Sequence, residues 1–271
     1  MQQLGQRSAA GRDLMDCLYM LQTINLNADL GESFGAWKMG NDSDLLKIIG
    51  SANIACGFHA GDPTVMQDTV RLAIANGVSI GAHPSYPDLQ GFGRRVMQMS
   101  ARDLEATLLY QIGALQAVAA AEGGVVTHVK PHGALNNVAC VDDDVAKTIV
   151  NAVRKLDPTL IVLAPAYSAL AKAAQAAGQP LRNEVFADRA YLDDGQLMPR
   201  SQQGAVLHDA QQCVDHVLRM IQAQGIVTAA GVCLPCRIDS ICVHGDGKNA
   251  VQTAQNIRQS LQQAGYVLRP L

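Results

Sequence analysis

Asp29 and Glu32, His59, His83, Lys130 and His132, Asp188 and Arg189, and His244 and Asp246 each follow closely on a short apolar run, and Arg95 stands in the glycine-rich loop behind His83. Carboxylates and imidazoles move protons near neutral pH, and lysine and arginine hold anions. These types together suit hydrolysis. Asp29 or Glu32 would activate water, His59, His83 and His132 would donate protons or hold the substrate, and Lys130, Arg95, Asp188, Arg189, His244 and Asp246 would bind substrate or phosphate. Asp29, His59, His83 and His132 are also candidate ligands for a divalent metal, since carboxylate oxygen and imidazole nitrogen both bind zinc. No H-E-x-x-H or paired C-x-x-C motif accompanies them, and no GxxxxGK[ST] phosphate loop is present.

Other reactive residue types have simpler explanations. Cys56 precedes His59 by three residues but reads as a small buried residue at a strand end. Cys233 and Cys236 form a lone C-x-x-C without a second pair or a redox context, so they read as incidental thiols. His128 falls inside a strand and is expected to pack, and His208 and His216 lie in or near a helix away from the strand ends. Asp62, before Pro63, reads as a helix cap, and the acids 142–144 as first-turn partners of a helix dipole.

The elements that must position the reactive residues alternate. Short apolar strands are predicted at 24–28, 52–55, 78–82, 125–129, 160–164, 184–187 and 240–243. Helices are predicted at 42–49, 63–76, 100–122, 142–156, up to 177, 209–224 and up to 264, with an extended tail at 266–271. Seven strand-then-helix units without hairpin signals imply a parallel sheet covered by helices. A closed barrel brings every strand exit to one mouth, whereas an open sheet scatters them. The expected fold class is therefore α/β, a seven-stranded parallel β/α barrel of the TIM-like type. Residues 1–22 are expected to be an N-terminal extension, and 23–271 a single barrel domain.

Composition narrows the function. A chain of 271 residues that is 48% hydrophobic can bury a large core. A formal charge of -3 gives no basic footprint for nucleic acid or acidic membrane, and 4% aromatic content disfavours stacking platforms. No apolar run is read as a bilayer span and no secretory pattern opens the chain, so a cytoplasmic location is expected. Seven cysteines, an odd number, fit a reducing compartment.

Six blocks carry a resemblance: NADLGE (27–32), ANIACGFHAGDP (52–63), GAHPSYPDLQGFGRR (81–95), VKPHGAL (129–135), EVFADRAY (184–191) and ICVHGD (241–246). In order and in register, they resemble the LamB/YcsF family over 24–271. The resemblance implies a barrel related to polysaccharide deacetylases, which use Asp and His at the mouth. It also implies ATP-dependent opening of 5-oxo-L-proline to L-glutamate, with ADP and phosphate as the other products, together with 5-oxoprolinase subunits B and C. ATP would be the cosubstrate, bound mainly by those partners, and a divalent metal is a further candidate. The chain departs from the family pattern at Asn136, where a tyrosine is usual before Asn137. Two other classes remain open: a metal-dependent deacetylase or amidohydrolase acting alone, and a non-catalytic docking protein.

Overall fold

The structure, a computed structural model, describes residues 22–244 and 249–271. In chain order its elements are β1 (Thr23–Leu30), α1 (Asp42–Leu45), β2 (Ser51–Ala55), α2 (Pro63–Ala75), β3 (Ser79–His83), α3 (Ala101–Ala121), β4 (Val126–Val129), α4 (Gly133–Ala139), α5 (Asp143–Leu156), β5 (Ile161–Pro165), α6 (Ala169–Ala176), β6 (Leu181–Phe186), α7 (Ala210–Ala223), β7 (Gly225–Val227), β8 (Cys233–Pro235), β9 (Ser240–Val243), α8 (Ala250–Gln263) and β10 (Val267–Leu268). Strands β1 to β6 and β9 pair in parallel, and β9 pairs with both β6 and β1, which closes a seven-stranded barrel.

The strands are buried on both faces, but the two faces differ in chemistry. Leu26, Ala28, Leu30, Ile54, Ile80, Ala82 and Val129 belong to the apolar layer shared with the helices. The alternate residues meet one another inside the barrel through polar bonds. Asn25 donates to Ser51 Oγ at 2.8 Å, and Ser51 and Ser79 hydroxyls lie 2.6 Å apart. One layer higher, Asn27 donates to Glu184 Oε1 at 2.9 Å and to Ser240 Oγ at 2.7 Å, and Asn53 donates to Asn27 Oδ1 at 2.8 Å. His128 Nε2 meets Asn53 Oδ1 at 3.0 Å. Most barrels of this kind fill the interior with branched apolar side chains; here a cross-strand hydrogen-bond network fills it, and buried polar groups are tolerated because they find partners. Gly81 makes room for it: a Cβ there would fall on the His128 ring. The tail closes the base, as β10 extends the sheet beside β1 and Leu271 N donates to Ser51 Oγ at 3.2 Å.

Several expectations needed correction. The helix expected at 42–49 stops after one turn at Leu45, and α4, seven residues long, had no sequence signal of its own. A short antiparallel ribbon, β7 against β8, follows α7 where no hairpin was expected. Helix α3, at 21 residues, is long and apolar enough to cross a bilayer, contrary to the sequence reading, but its stripe of Leu104, Leu108, Ile112, Leu115 and Ala119 is buried within the molecule. The N-terminal extension lies outside the described residues for 1–21, as does Asp246.

Candidate active site

The mouth of the barrel is built by the C-terminal ends of its strands, which is where a parallel barrel gathers reactive side chains. Asp29 ends β1, His83 ends β3, Lys130 follows β4 and His244 follows β9, while His59, His132 and Glu32 stand on the loops just beyond. Together with Arg94, Arg189 and Arg200, five of them line a cleft of about 460 Å³: Asp29, His83, Lys130, His132 and His244.

Lys130 is the centre of one half of the site. It is 2% exposed, with Nζ 2.8 Å from Asp29 Oδ1, 3.2 Å from Glu184 Oε1 and 3.0 Å from Cys242 Sγ. Burial opposes its charge, but Asp29, Cys242 and Glu184 hold the ammonium well above the usual lysine range. Burial likewise opposes charge on Asp29, yet His83 and Lys130 hold its carboxyl well below the ordinary value. Asn53 donates to Asp29 Oδ1 at 2.9 Å and fixes the carboxylate plane. Glu184 differs: burial raises its carboxyl against the pull of Lys130, and its Oε2 has no partner. The lysine thus faces one firmly ionised carboxylate and one that protonates readily.

The other half is a cluster of imidazoles. His59 and His132 are stacked with ring centres 3.7 Å apart, and His83 meets both rings edge-on. Glu32 Oε1 lies 3.1 Å from His59 Nε2 and 3.5 Å from His132 Nδ1. Burial pushes His59 and His132 well below the usual histidine value, so both rings are neutral near pH 7. Phe92 packs edge-on against His59 and His132. Gly93 must lack a side chain: its φ is +62°, and a Cβ would lie 2.7 Å from the His132 ring and 2.9 Å from His59 Cβ.

Of the residues expected at the site, Asp29, Glu32, His59, His83, Lys130 and His132 do come together. Asp188 and His244 form a separate pair, His244 Nδ1 2.8 Å from both carboxylate oxygens, with His244 stacked near Phe186. Arg189 lines the cleft but is bound by its own loop, donating to Met198 O at 2.7 Å and Ala205 O at 3.3 Å. Arg95 does not reach the cleft; its guanidinium binds Asp88, and its neighbour Arg94 lines the cleft in its place. Glu184, in β6, was missed as a site residue. The simpler readings elsewhere hold. Asp62 caps α2 through Thr64 N and Val65 N, His128 packs with its imidazole pushed down to about 3 by burial, and Cys56 is buried with its thiol pushed up to about 12. His216 Nε2 meets Arg189 O at 3.0 Å and steadies that loop.

Comparison with known proteins agrees with this architecture. The A subunit of a 5-oxoprolinase from Azoarcus sp. (strain BH72) is 57% identical over 248 residues, covering 92% of this chain and 97% of that one. Its counterpart from Brevibacillus brevis is 50% identical, covering 92% and 98%. A crystal structure of a lactam utilization protein from Thermus thermophilus superposes with a TM-score of 0.87 at 42% identity, over 92% of this chain and all of that one. The catalytic domain of a peptidoglycan N-acetylglucosamine deacetylase from Eubacterium rectale shares the fold alone, at a TM-score of 0.50 and 11% identity over 92% and 88% of the two chains. The LamB/YcsF family model matches residues 24–271, and with the barrel, the mouth cluster and these relatives in view, the chain belongs to the LamB/YcsF family.

Proposed function

We propose that this chain is the lactam-opening component of an ATP-dependent 5-oxoprolinase, converting 5-oxo-L-proline to L-glutamate in concert with subunits B and C. One observation carries the reading: an ionised Asp29, held by Lys130 and Asn53, stands beside His83 and His132 in a cleft ringed by arginines. It occurs in a chain whose relatives bear the name of the 5-oxoprolinase A subunit.

The chemistry explains the need for both ATP and such a cleft. A five-membered lactam is unstrained and its carbonyl is a poor electrophile. Transfer of a phosphoryl group to the amide oxygen makes that oxygen a leaving group and the carbon open to water. Water then adds, losing a proton, and the ring nitrogen takes a proton as the C–N bond breaks, which leaves an acyl phosphate that a second water cleaves to glutamate and phosphate. Asp29 is the carboxylate positioned to accept the first proton and to pass it to the departing nitrogen. Lys130 stabilises negative charge gathering beside Asp29, and Arg94, Arg189 and Arg200 match the substrate carboxylate and the phosphate. The chain carries no GxxxxGK[ST] loop, so the nucleotide falls to the partner subunits.

The test is release of glutamate from 5-oxo-L-proline by the chain alone, by the chain with subunits B and C, and by that mixture without ATP. Turnover only in the complete mixture, lost in Asp29→Asn, supports the proposal. No turnover in the complete mixture refutes it. The histidine cluster favours one second reading, an amidohydrolase acting alone, which amide hydrolysis by the isolated chain without ATP would establish.

A further inference from the structure

Two backbone carbonyls fix the tautomers of facing histidines and leave their lone pairs pointed at each other. His83 Nδ1 lies 2.6 Å from the Lys130 carbonyl oxygen, and His132 Nε2 lies 2.8 Å from the Phe92 carbonyl oxygen. A carbonyl oxygen only accepts, so each of these nitrogens carries the hydrogen. In neutral rings His83 Nε2 and His132 Nδ1 are then bare lone pairs, and they face each other across 3.0 Å. Carboxylates crowd the same point. Glu32 Oε1 is 3.1 Å from His59 Nε2 and 3.5 Å from His132 Nδ1, and Asp29 Oδ2 is 3.3 Å from His83 Nε2. His59, 1% exposed, turns its Nε2 to Glu32, and its Nδ1 has no partner among the described residues. Lone pairs and carboxylate oxygens converging in a buried volume repel one another unless a cation lies among them.

The separations suit a metal ion as well as a shared proton. Around a tetrahedral ion with bonds of about 2.0–2.1 Å, neighbouring donor atoms stand about 3.3–3.4 Å apart. The gaps of 3.0, 3.1 and 3.5 Å bracket that edge, and the donor atoms of Glu32, His59, His83 and His132 all lie within 4.8 Å of one another. An imidazole anchored by its second N–H on a backbone carbonyl is also how proteins aim a metal-ligating histidine. Asp29, which the sequence suggested as a ligand, spends its Oδ1 on Lys130 and Asn53 and falls outside the close group of four donors, where Glu32 supplies the carboxylate.

We propose that Glu32 Oε1, His59 Nε2, His83 Nε2 and His132 Nδ1 form a site for one divalent ion of the zinc type. Three imidazole nitrogens and one carboxylate oxygen are the donor set of zinc and its borderline first-row neighbours, and neither magnesium nor calcium favours imidazole. When bound, such an ion supplies Lewis acidity beside the cleft that His83 and His132 line.

The test uses the full untagged chain, stripped with chelator and reloaded with Zn²⁺ or Co²⁺. The metal is counted by mass spectrometry, its affinity read by competition with a chromophoric chelator, and the Co²⁺ form recorded by visible absorption. One equivalent per chain is expected, with the intense visible bands of four-coordinate Co²⁺ and no thiolate charge-transfer band. Glu32→Gln, His83→Gln and His132→Asn should each weaken binding by more than the roughly 10–100-fold that losing a supporting group costs. His208→Ala, at an exposed position, should leave it unchanged. Circular dichroism checks that each variant is folded, and if the ligand variants unfold, the wild-type stoichiometry and Co²⁺ spectrum still decide. A folded wild-type chain that takes up neither ion stoichiometrically overturns the site and leaves a shared proton between the rings. A thiolate band, placing the ion at Cys233 and Cys236, overturns it too. Metal uptake is independent of the lactam reaction: a chain that binds the ion while the complete enzyme mixture leaves 5-oxoproline intact keeps this site and loses the oxoprolinase reading.

Discussion

Replacing Lys130 by methionine tests whether the buried charge arrangement is as tight as the distances imply. The substitution keeps the length of the side chain and removes the one cation that touches both Asp29 and Glu184. Breaking a buried pair by deleting one partner destabilises by about 3–5 kcal/mol, because the other charge stays buried without compensation. At about 2–4 °C per kcal/mol for a chain of this size, the melting temperature should fall by roughly 6–20 °C. Glu184 sets the pH dependence. Its folded carboxyl is raised above its unfolded value by burial, so the folded state holds the extra proton more tightly. A raised carboxyl favours folding at low pH and loses that contribution as pH rises through the folded value. With Lys130 gone the carboxyl rises further, so the deficit of Lys130→Met should be smaller at pH 5 than at pH 8. Adding Glu184→Gln removes one of the two stranded carboxylates, and the double variant should be less unstable than the sum of the singles by about 1–3 kcal/mol. Guanidinium unfolding of all four proteins at both pH values measures this. A Lys130→Met protein within about 1 kcal/mol of wild type at pH 8, where an exposed ion pair would fall, or strict additivity of the double variant, refutes the reasoning.

Three further outcomes follow from the same structure. Gly81→Ala should destabilise by about 2–4 kcal/mol, through overpacking and the displaced His128–Asn53 bond; thermal unfolding measures it, and His128→Ala in the same chain should recover part of the loss. Burial opposes the charge of His244, but Asp188 beside it raises the imidazole; Asp188, itself opposed by burial, is held below the ordinary carboxylate value by His244. The pair therefore stabilises most between about pH 4 and 6.5 and weakens as pH rises through the folded histidine value, so the gap between wild type and Asp188→Asn should close above it, with the His244 ring titrating lower in the variant by NMR. Thiol reagents at pH 8 should modify exposed Cys233 quickly, while Cys56, Cys140 and Cys213, each pushed up to about 12 by burial, should react only on unfolding, as mass mapping of the labelled peptides would show.

How much of this was legible in the sequence depended on the range of the interaction that fixes each feature. Strands such as 52–55 read as buried because they are small or branched and mostly apolar, and the Asp62 cap read correctly because a cap bonds within three residues. The mouth histidines were found because strand exits are where a barrel gathers reactive groups. The polar interior was not found, because Asn27, Asn53 and Ser240 find partners 26 to 213 residues away, and no local pattern distinguishes a satisfied asparagine in a strand from a misplaced one. Glu184 escaped notice for the same reason: its meaning comes from Lys130 and Asn27 across the barrel. Arg94 and Arg95 are adjacent in sequence, and a turn with Phe92 at φ 54° and Gly93 at φ 62° decides which one faces the cleft. The ribbon of β7 and β8 has strands of three residues, too short for any alternation to register.

The polar interior also bears on what the site can do. Asp29 and Lys130 do not stand on loops free to relax; each is the top of a hydrogen-bonded column that runs through Asn53, Asn27 and Ser240 to Asn25 near the base. A carboxylate fixed in this way needs no reorganisation when charge develops beside it, which is the condition under which buried electrostatics favour a transition state over a ground state. Solvated charges would have to reorient at each turnover. The network that replaces the usual apolar filling of the barrel is thus the support that holds the Asp29 carboxylate in place. Substitutions deep in the column, such as Asn27→Ala, should lower turnover by loosening Asp29 while leaving the cleft and its arginines intact, a loss that kcat would register and KM would not.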